Sequence, residues 1–238
     1  RVMPEPASGH DLLRQTSYAD ALRDFRWSAL WDLVDGDRVR LNLAHECVDR
    51  HVGKGTALRI QFADGHREEH DFGALAEWSS RFANLLEAEG IARGDRVAIM
   101  LEPSLAFYGA VFGTMKRGAI AVPLFTLFGP EGLALRVDDC RPRMLLVERD
   151  AARWRAQFPD VNVVAMDDLA ERLRAAPARY TPATAPDDLA LFQYTSGTTR
   201  ALPEAVRHTH RSVVTLMVAA LYGVGLRAGD RYFCPSSP

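Results

Sequence analysis

The chain lacks several features that would place it in other classes of protein. Its 238 residues include three cysteines, Cys47, Cys140 and Cys234, and no two of them stand at metal-ligand spacing. We therefore expect reduced thiols in an intracellular protein and not a disulfide framework. No apolar run is long enough for a transmembrane helix, and no charged-then-apolar signal peptide opens the chain. The expectation is a cytoplasmic protein without a membrane span.

An excess of charge of one sign is also missing. The formal net charge is −2, so no overall basic field exists that would attract nucleic acid or an anionic membrane, and we expect no nucleic-acid partner. Lysine is scarce, because Lys54 and Lys116 are the only two and arginine supplies the other basic residues. Hydrophobic residues make up 47% of the chain, which is enough for the sizeable core of an ordinary globular protein.

Apolar runs of strand length alternate with segments of helical periodicity over most of the chain. This order predicts an α/β fold with a mostly parallel sheet that helices cover on both faces. The segment 212–222 is apolar all round, which predicts a helix buried between layers. The predicted strands cover residues 56–62, 66–70, 97–101, 119–124, 144–147, 161–165 and 189–194, and the predicted helices cover residues 11–25, 41–52, 72 to the stop at Gly90, 103–117, 131–140, 151–158 and 212–222.

A linker is predicted where Pro177, Pro182 and Pro186 alternate with small residues. The chain then divides into an N-terminal helical segment (1–55), a first α/β subdomain (56–176), the linker (177–187) and the start of a second α/β subdomain (188–238). Residues 90–96 and 225–231 share a glycine-to-arginine pattern in which a helix ends, a tight turn follows and a strand begins. Two related βαβ units in two stacked sheets would explain this repeat, and so would a chance recurrence of a common turn.

The most informative segment follows the predicted strand 189–194, where hydroxyl residues surround one glycine. Hydroxyls donate hydrogen bonds to phosphate oxygens, and Gly197 lets the backbone approach an anion closely. A loop at the C-terminal end of a strand lies where open α/β sheets bind ligands. It is not a Walker loop, since no glycine-lysine-serine/threonine ending is present. On composition alone, a polar surface turn is an equally good interpretation of Thr195, Ser196, Gly197, Thr198 and Thr199.

The longer pattern decides between these two interpretations. The residues Tyr194 to Thr199, Pro203, Val206 and the run His208, Thr209 and His210 resemble the phosphate-binding signature of the adenylate-forming (AMP-dependent synthetase/ligase) superfamily. Acyl-CoA synthetases, nonribosomal peptide adenylation domains and luciferases belong to it. The resemblance implies stacked βαβ subdomains with mostly parallel sheets, as part of the large N-terminal domain of a longer enzyme.

The signature also departs from the family pattern. Arg200 stands where the family has glycine, one extra residue precedes Pro203, and Glu204 and Ala205 replace a lysine-glycine pair. In the family, that lysine helps to neutralise the outer phosphates of ATP. Our hypothesis is that Arg200 takes over this task, because a guanidinium can hold phosphate through two parallel hydrogen bonds. The alternative is that Arg200 and Arg207 are solvated surface charges.

The resemblance implies a reaction in two halves. A carboxylate attacks the α-phosphorus of ATP, with Mg²⁺ present, expels pyrophosphate and forms an acyl-adenylate; the thiol of CoA then attacks the acyl carbon and displaces AMP. The implied ATP phosphate-binding residues are Thr195, Ser196, Gly197, Thr198, Thr199 and Arg200. His208 and His210 are expected to begin the following helix and to line the acyl and nucleotide pocket, and no cluster in the sequence completes a metal site with them.

Two further enzyme or module types share these motifs. Residues 42–44 and 49–51 resemble the N-terminal pattern of acyl-CoA synthetases of the acetyl, medium-chain and benzoate type, which favours a CoA ligase over a carrier-protein adenylation domain. From their local sequence alone, we interpret residues 49–51 as a solvated helix end. The other alternative is a nucleotide-binding module without catalysis, which is favoured by Arg200 and Glu204 in place of the family's glycine and lysine. The family's adenylation lysine would lie beyond residue 238, so residues 1–238 alone are expected to be inactive. The acid and the oligomeric state are not indicated.

Overall fold

Six strands of the chain lie side by side in a mostly parallel sheet. The computed structural model describes residues 8–15, 17–194 and 204–233. The strands are β1 (Thr56–Gln61), β2 (Arg67–Asp71), β3 (Arg96–Met100), β4 (Ile120–Pro123), β5 (Met144–Val147), β6 (Asn162–Ala165), β7 (Leu189–Tyr194) and β8 (Ala205–Thr209). The helices are α1 (Gly9–Leu12), α2 (Tyr18–Asp24), α3 (Leu43–Cys47), α4 (Phe72–Ala88), α5 (Leu105–Arg117), α6 (Pro130–Cys140), α7 (Ala151–Gln157), α8 (Met166–Ala175) and α9 (Ser212–Val218).

The strand order in the large sheet is β6-β5-β3-β4-β7-β8, and β1 and β2 form a separate antiparallel hairpin. Strands β3 to β7 run parallel, and β8 is antiparallel to β7. The predicted α/β fold with a mostly parallel sheet is therefore confirmed. Strand β7 joins the sheet of β3 to β6, because Leu191 pairs with Ala121 of β4. The domain boundaries at residues 56, 177 and 188 stay a prediction for the longer protein.

The central strand β3 shows why helices cover both faces. Val97, Ala98 and Ile99 are fully buried. Because successive side chains of a strand point to opposite faces, Val97 and Ile99 pack with α4, α5 and α8, while Ala98 packs with α6 and α7. An apolar strand of this kind requires cover on both sides.

Several predicted helix ends are confirmed by their caps. Asp71 accepts a hydrogen bond from the Ala74 amide at 2.7 Å and starts α4. Gly118 ends α5 with a φ of 77°, a left-handed conformation that favours glycine. Helix α5 begins two residues later than predicted, because Ser104 and not Pro103 supplies the cap, accepting from the Phe107 amide.

Three helical predictions differ from the structure. The predicted helix 11–25 is two helices, since Ser17 caps a new one, α2. The predicted helix 41–52 is α3 followed by a short 3₁₀ helix, Asp49–His51. Helix α8 was not predicted, although Leu169 and Leu173, its two buried residues, have the four-residue spacing of one helical face.

The segment 212–222 is buried on one side and exposed on the other, whereas burial on all sides was predicted. Helix α9 continues as a π-helix, Ala219–Val224, and Val214 and Leu221 are its buried residues. Leu216 is 55% exposed, so the prediction of burial on all sides is wrong within the described residues. Helix α9 packs its inner face against the N-terminal segment through Leu12, Leu30 and Leu41.

The predicted repeat of residues 90–96 at 225–231 is a repeated turn. Asp95 accepts a hydrogen bond from the Ala92 amide at 2.8 Å, and Asp230 accepts one from the Arg227 amide at 2.8 Å. The first turn leads into β3, whereas residues 231–233 form no strand in the described part of the chain.

Candidate nucleotide site

The predicted phosphate loop connects the two neighbouring strands β7 and β8. Tyr194, at the end of β7, pairs with Ala205, at the start of β8. The predicted phosphate-binding residues Thr195, Ser196, Gly197, Thr198, Thr199 and Arg200 lie outside the described residues, and their roles stay a prediction. Because β7 is parallel to β4, the chain leaves β7 at the C-terminal edge of the parallel strands. Ligands of open α/β sheets bind at this edge.

The connections after β3 and β4 leave the sheet at the same edge and lead to opposite faces. The connection from β3 leads to α5, whose Phe107 packs on one face of the sheet. The connection from β4 leads to α6, whose Leu133 packs on the other face. The Thr126 hydroxyl donates a hydrogen bond to the Glu102 carboxylate, which joins the two connections. The connections after β3, β4 and β7 thus share the edge at which open α/β sheets bind ligands.

Tyr194 ties the end of β7 to α6. Its hydroxyl donates to Oδ2 of Asp139 at 2.6 Å and lies 3.2 Å from the Arg136 carbonyl oxygen. Burial, together with the Asp139 carboxylate, raises the pKa of the Tyr194 hydroxyl, which stays protonated.

Arg136 lies against the ring of Phe128, 3.7 Å from its centroid, and 5.6 Å from the ring centroid of Tyr194. Burial lowers the pKa of Arg136, although a guanidinium stays charged at any ordinary pH. Half-buried aromatic and cationic side chains therefore surround the base of the predicted loop.

Arg207 lies on β8, opposite Phe192, and its guanidinium is 5.3 Å from the Phe192 ring. It is exposed, and one residue pair, Gln193 with Val206, separates it from the pair that joins Tyr194 and Ala205. Glu204, the residue at the family's lysine position, is also exposed. The structure thus places one of the two candidate arginines near the loop, while Arg200 lies outside the described part of the chain.

The prediction that His208 and His210 begin a helix is wrong. His208 belongs to β8, where it pairs with Leu191, and α9 begins at Ser212. His210 follows β8 at the opposite end of the strand from the loop, and it is fully buried. Its Nδ1 accepts a hydrogen bond from the Leu43 amide at 2.9 Å. This contact links the end of β8 to α3, and the pocket-lining roles of His208 and His210 stay predictions.

The segment predicted to be a solvated helix end instead holds a buried ion pair. The ammonium of Lys116, which is fully enclosed, donates to Oδ1 of Asp49 at 2.6 Å. It also donates to the Ala76 carbonyl at 3.1 Å and the Ser80 hydroxyl at 3.0 Å. The interpretation of residues 49–51 as a solvated end is therefore wrong, because Asp49 anchors the end of α5.

A second buried polar contact involves Asn42, the cap of α3. Its side chain donates to the Met115 carbonyl at 2.8 Å and to the Thr184 hydroxyl at 3.0 Å. Thr184 lies in the predicted linker, and its hydroxyl donates to the Leu41 carbonyl at 2.6 Å. No local pattern predicts these contacts, since the partners are 73 and 142 residues away from Asn42 in the chain.

Cys47 and Cys140 are free thiols, and burial raises the pKa of each to about 11, so both stay protonated at neutral pH. Cys234 lies outside the described residues. Among residues 8–15, 17–194 and 204–233, no group of three or more histidine, cysteine, aspartate or glutamate residues could hold a metal ion. Over the same ranges, no helix is long and apolar enough to cross a membrane.

Comparison with known proteins agrees with this arrangement. The chain is 30% identical over 217 residues to a 3-hydroxybenzoate–CoA ligase of Aromatoleum sp. (strain CIB), covering 82% of this chain and 40% of the relative. It is 35% identical over 195 residues to the long-chain-fatty-acid–CoA ligase FadD13 of Mycobacterium tuberculosis (strain CDC 1551 / Oshkosh), covering 78% of this chain and 36% of the relative. The chain thus spans less than half the length of these relatives.

Solved structures show the same similarity in three dimensions. The acyl-CoA synthetase of Brucella canis superimposes with a TM-score of 0.81 at 26% identity, over 91% of this chain and 42% of that one. The sequence profile of the family described as AMP-binding enzyme matches residues 47–238. That match includes the predicted phosphate loop and every strand of the large sheet. The chain therefore belongs to the AMP-binding enzyme family.

Proposed function

We propose that this chain is the nucleotide-binding part of an AMP-forming acyl-CoA synthetase, which activates a carboxylic acid with ATP and transfers the acyl group to CoA. The observation that carries the proposal is the position of the signature of residues 194–210. Its two flanking strands are neighbours in the sheet, so the hydroxyl-rich loop between them starts at the C-terminal edge of the parallel strands, where open α/β sheets bind ligands.

In this proposal the loop residues stabilise the charge of the first half-reaction. Negative charge builds up on the phosphoryl oxygens and on the departing pyrophosphate, and donors fixed in advance lower the barrier. The hydroxyls of Thr195, Ser196, Thr198 and Thr199 and the amides around Gly197 would supply those donors, with Mg²⁺ bound to the phosphates. The resulting acyl-adenylate would then react with the thiol of CoA.

The named relatives support a CoA ligase over a carrier-protein adenylation domain, because both proteins compared above are described as CoA ligases. Their names differ in the acid, since one is an aromatic hydroxy acid and the other a long-chain fatty acid. The choice of acid is therefore left to experiment. A cytoplasmic setting, the pocket roles of His208 and His210 and inactivity of residues 1–238 alone stay predictions.

A second candidate is a nucleotide-binding module without catalysis. Glu204 favours it, because a carboxylate at the family's lysine position repels the outer phosphates of ATP. Arg200 and Arg207 favour the enzyme, since they keep positive charge within the signature.

Pyrophosphate exchange in the full-length protein distinguishes these two functions. The protein is incubated with ATP, Mg²⁺ and labelled pyrophosphate, together with a panel of acetate, a medium-chain acid, a long-chain acid and benzoates. An adenylating enzyme incorporates label into ATP only when its own acid is present, and it then forms a thioester when CoA is added. A protein that binds ATP but exchanges no label with any acid is the non-catalytic module.

A further inference from the structure

The last described residue before the predicted phosphate loop is Tyr194, and its side chain is tied to a different element of the fold. The phenol donates to the Asp139 carboxylate at 2.6 Å, the distance of a hydrogen bond strengthened by the negative charge of its acceptor. Asp139 is the next-to-last residue of α6, which packs on one face of the sheet. This bond ties the end of β7 to α6, in addition to the backbone pairing of Tyr194 with Ala205.

Arg136 reinforces the same junction from the side. Its guanidinium lies 3.7 Å from the ring centroid of Phe128 and 5.6 Å from that of Tyr194. It also donates to the Gly132 carbonyl at 2.7 Å, which fixes the side chain along α6. Phe128 belongs to the connection between β4 and α6, so Arg136 links that connection to the end of β7. Both segments lie at the C-terminal edge of the sheet.

We propose that Tyr194 is a positioning residue for the phosphates of ATP, acting through its hydrogen bond to Asp139. The inference rests on the proposed function, because it assumes that the loop beginning at Thr195 holds those phosphates. Hydrogen-bond donors stabilise a polyanion only when they are held in place beforehand, and displacement by about 1 Å is enough to weaken such a site. The Tyr194 hydroxyl sets the point from which the loop starts, and it need not touch the nucleotide.

A positioning role differs from a merely structural one in what it changes. Loss of an ordinary hydrogen bond lowers the stability of the whole protein and leaves substrate affinities unchanged. Loss of the Tyr194–Asp139 bond removes a side-chain restraint on the residue from which the loop starts, which weakens ATP binding selectively. A matched control is Tyr222, which lies on the π-helix that follows α9. Its hydroxyl donates to Oε1 of Gln15 at 2.8 Å.

The test compares Tyr194→Phe with Tyr222→Phe in the full-length protein. Each variant removes one hydroxyl and keeps its ring. Tyr194→Phe raises the KM for ATP and the dissociation constant of MgATP, measured by calorimetry, about five- to tenfold, the size expected for one charge-assisted hydrogen bond. The KM values for the acid and for CoA stay within a factor of about two. Tyr222→Phe lowers the melting temperature by about as much as Tyr194→Phe does, and it leaves the KM values for ATP, the acid and CoA unchanged.

A double-mutant cycle identifies the partner of Tyr194. Asp139→Ala alone weakens MgATP binding as Tyr194→Phe does, and the double variant is no weaker than either single one, because both substitutions remove the same bond. Additive effects would overturn the role of Asp139. Unchanged MgATP affinity in Tyr194→Phe, while the wild type exchanges pyrophosphate, overturns the positioning role alone. A wild-type protein that binds no MgATP overturns both this inference and the proposed function.

Discussion

Lys116 occupies a site that fits an ammonium group and does not fit a guanidinium. Three acceptors surround its nitrogen, the Asp49 carboxylate, the Ala76 carbonyl and the Ser80 hydroxyl, and an ammonium has three N–H donors. A guanidinium is larger and brings five donors in a plane, so it would leave buried donors unpaired. This match explains why one of the two lysines of an otherwise arginine-based chain stands here.

The size of that effect can be measured with Lys116→Arg in the full-length protein. We expect a loss of about 2 kcal/mol of stability, because the substitution overfills a closed site and leaves donors unsatisfied. The control is Lys54→Arg at an exposed position, which is expected to change stability by less than about 0.5 kcal/mol. Equal denaturation midpoints for the two variants in urea would contradict this explanation.

His210 predicts a dependence of stability on pH. Burial lowers the pKa of this histidine from 6.5 to about 4, so the unfolded chain takes up a proton at a higher pH than the folded protein does. The contribution of His210 to the free energy of unfolding is therefore fully present above pH 6.5. It falls by about 3 kcal/mol as the pH decreases from 6.5 towards 4.

The variant His210→Asn tests this dependence, since its side-chain oxygen can still accept from the Leu43 amide but does not titrate. In urea titrations between pH 4 and pH 7, we expect the variant to lose less stability on acidification than the wild type. Identical slopes for the two proteins would show that His210 is not the group responsible.

The charges flanking the loop give a prediction at the same scale. If Arg200 replaces the family's lysine, Arg200→Ala raises the KM for ATP about tenfold or more, which is the cost of one charged phosphate contact. Glu204→Ala serves as the matched control, and it leaves the KM for ATP unchanged or lowers it. An unchanged ATP dependence in Arg200→Ala would contradict the assignment.

At the scale of elements, the sequence predicted structure best where local signals agree. Asp71, the helical spacing of apolar residues and Gly90 together predicted α4, and the apolar run 189–194 predicted β7. Prediction failed where a local signal was overridden or absent. Ser17 starts a new helix within the predicted helix 11–25, and α9 is apolar by sequence yet exposed on one side.

The packing of α4 against α5 depends on small residues that periodicity does not reveal. A Cβ added to Gly113 would lie 2.6 Å from the Ser79 carbonyl oxygen and 2.9 Å from Cβ of Phe82. We therefore expect Gly113→Ala to destabilise the full-length protein by about 2 kcal/mol, because the two helices must move apart.

The matched control is Gly132→Ala in α6, where the nearest atom to an added Cβ is 3.7 Å away. This variant is expected to be neutral or up to about 1 kcal/mol more stable, because alanine favours helices. Thermal denaturation of both variants measures the difference, and a Gly113→Ala protein as stable as the wild type would contradict the close approach of α4 and α5.

At the scale of the whole molecule, the contacts that join distant segments were beyond sequence reasoning. The Leu43 amide and His210 are 167 residues apart, and Leu12, Leu30 and Leu41 pack with Val214 of α9. No local pattern specifies such pairs, since each partner satisfies the other only after the chain has folded. The candidate site could be predicted, unlike these contacts, because its signature lies within residues 194–210. Its two flanking strands are adjacent in the sheet.

The central claim is that the loop between β7 and β8 holds the triphosphate of ATP. A crystal structure of the full-length protein with Mg²⁺ and a non-hydrolysable ATP analogue tests it most directly. The account predicts that the phosphates lie along residues 195–200, within hydrogen-bond distance of the hydroxyls of Thr195, Ser196, Thr198 and Thr199. A bound analogue whose phosphates lie elsewhere, with these hydroxyls facing solvent, would contradict it.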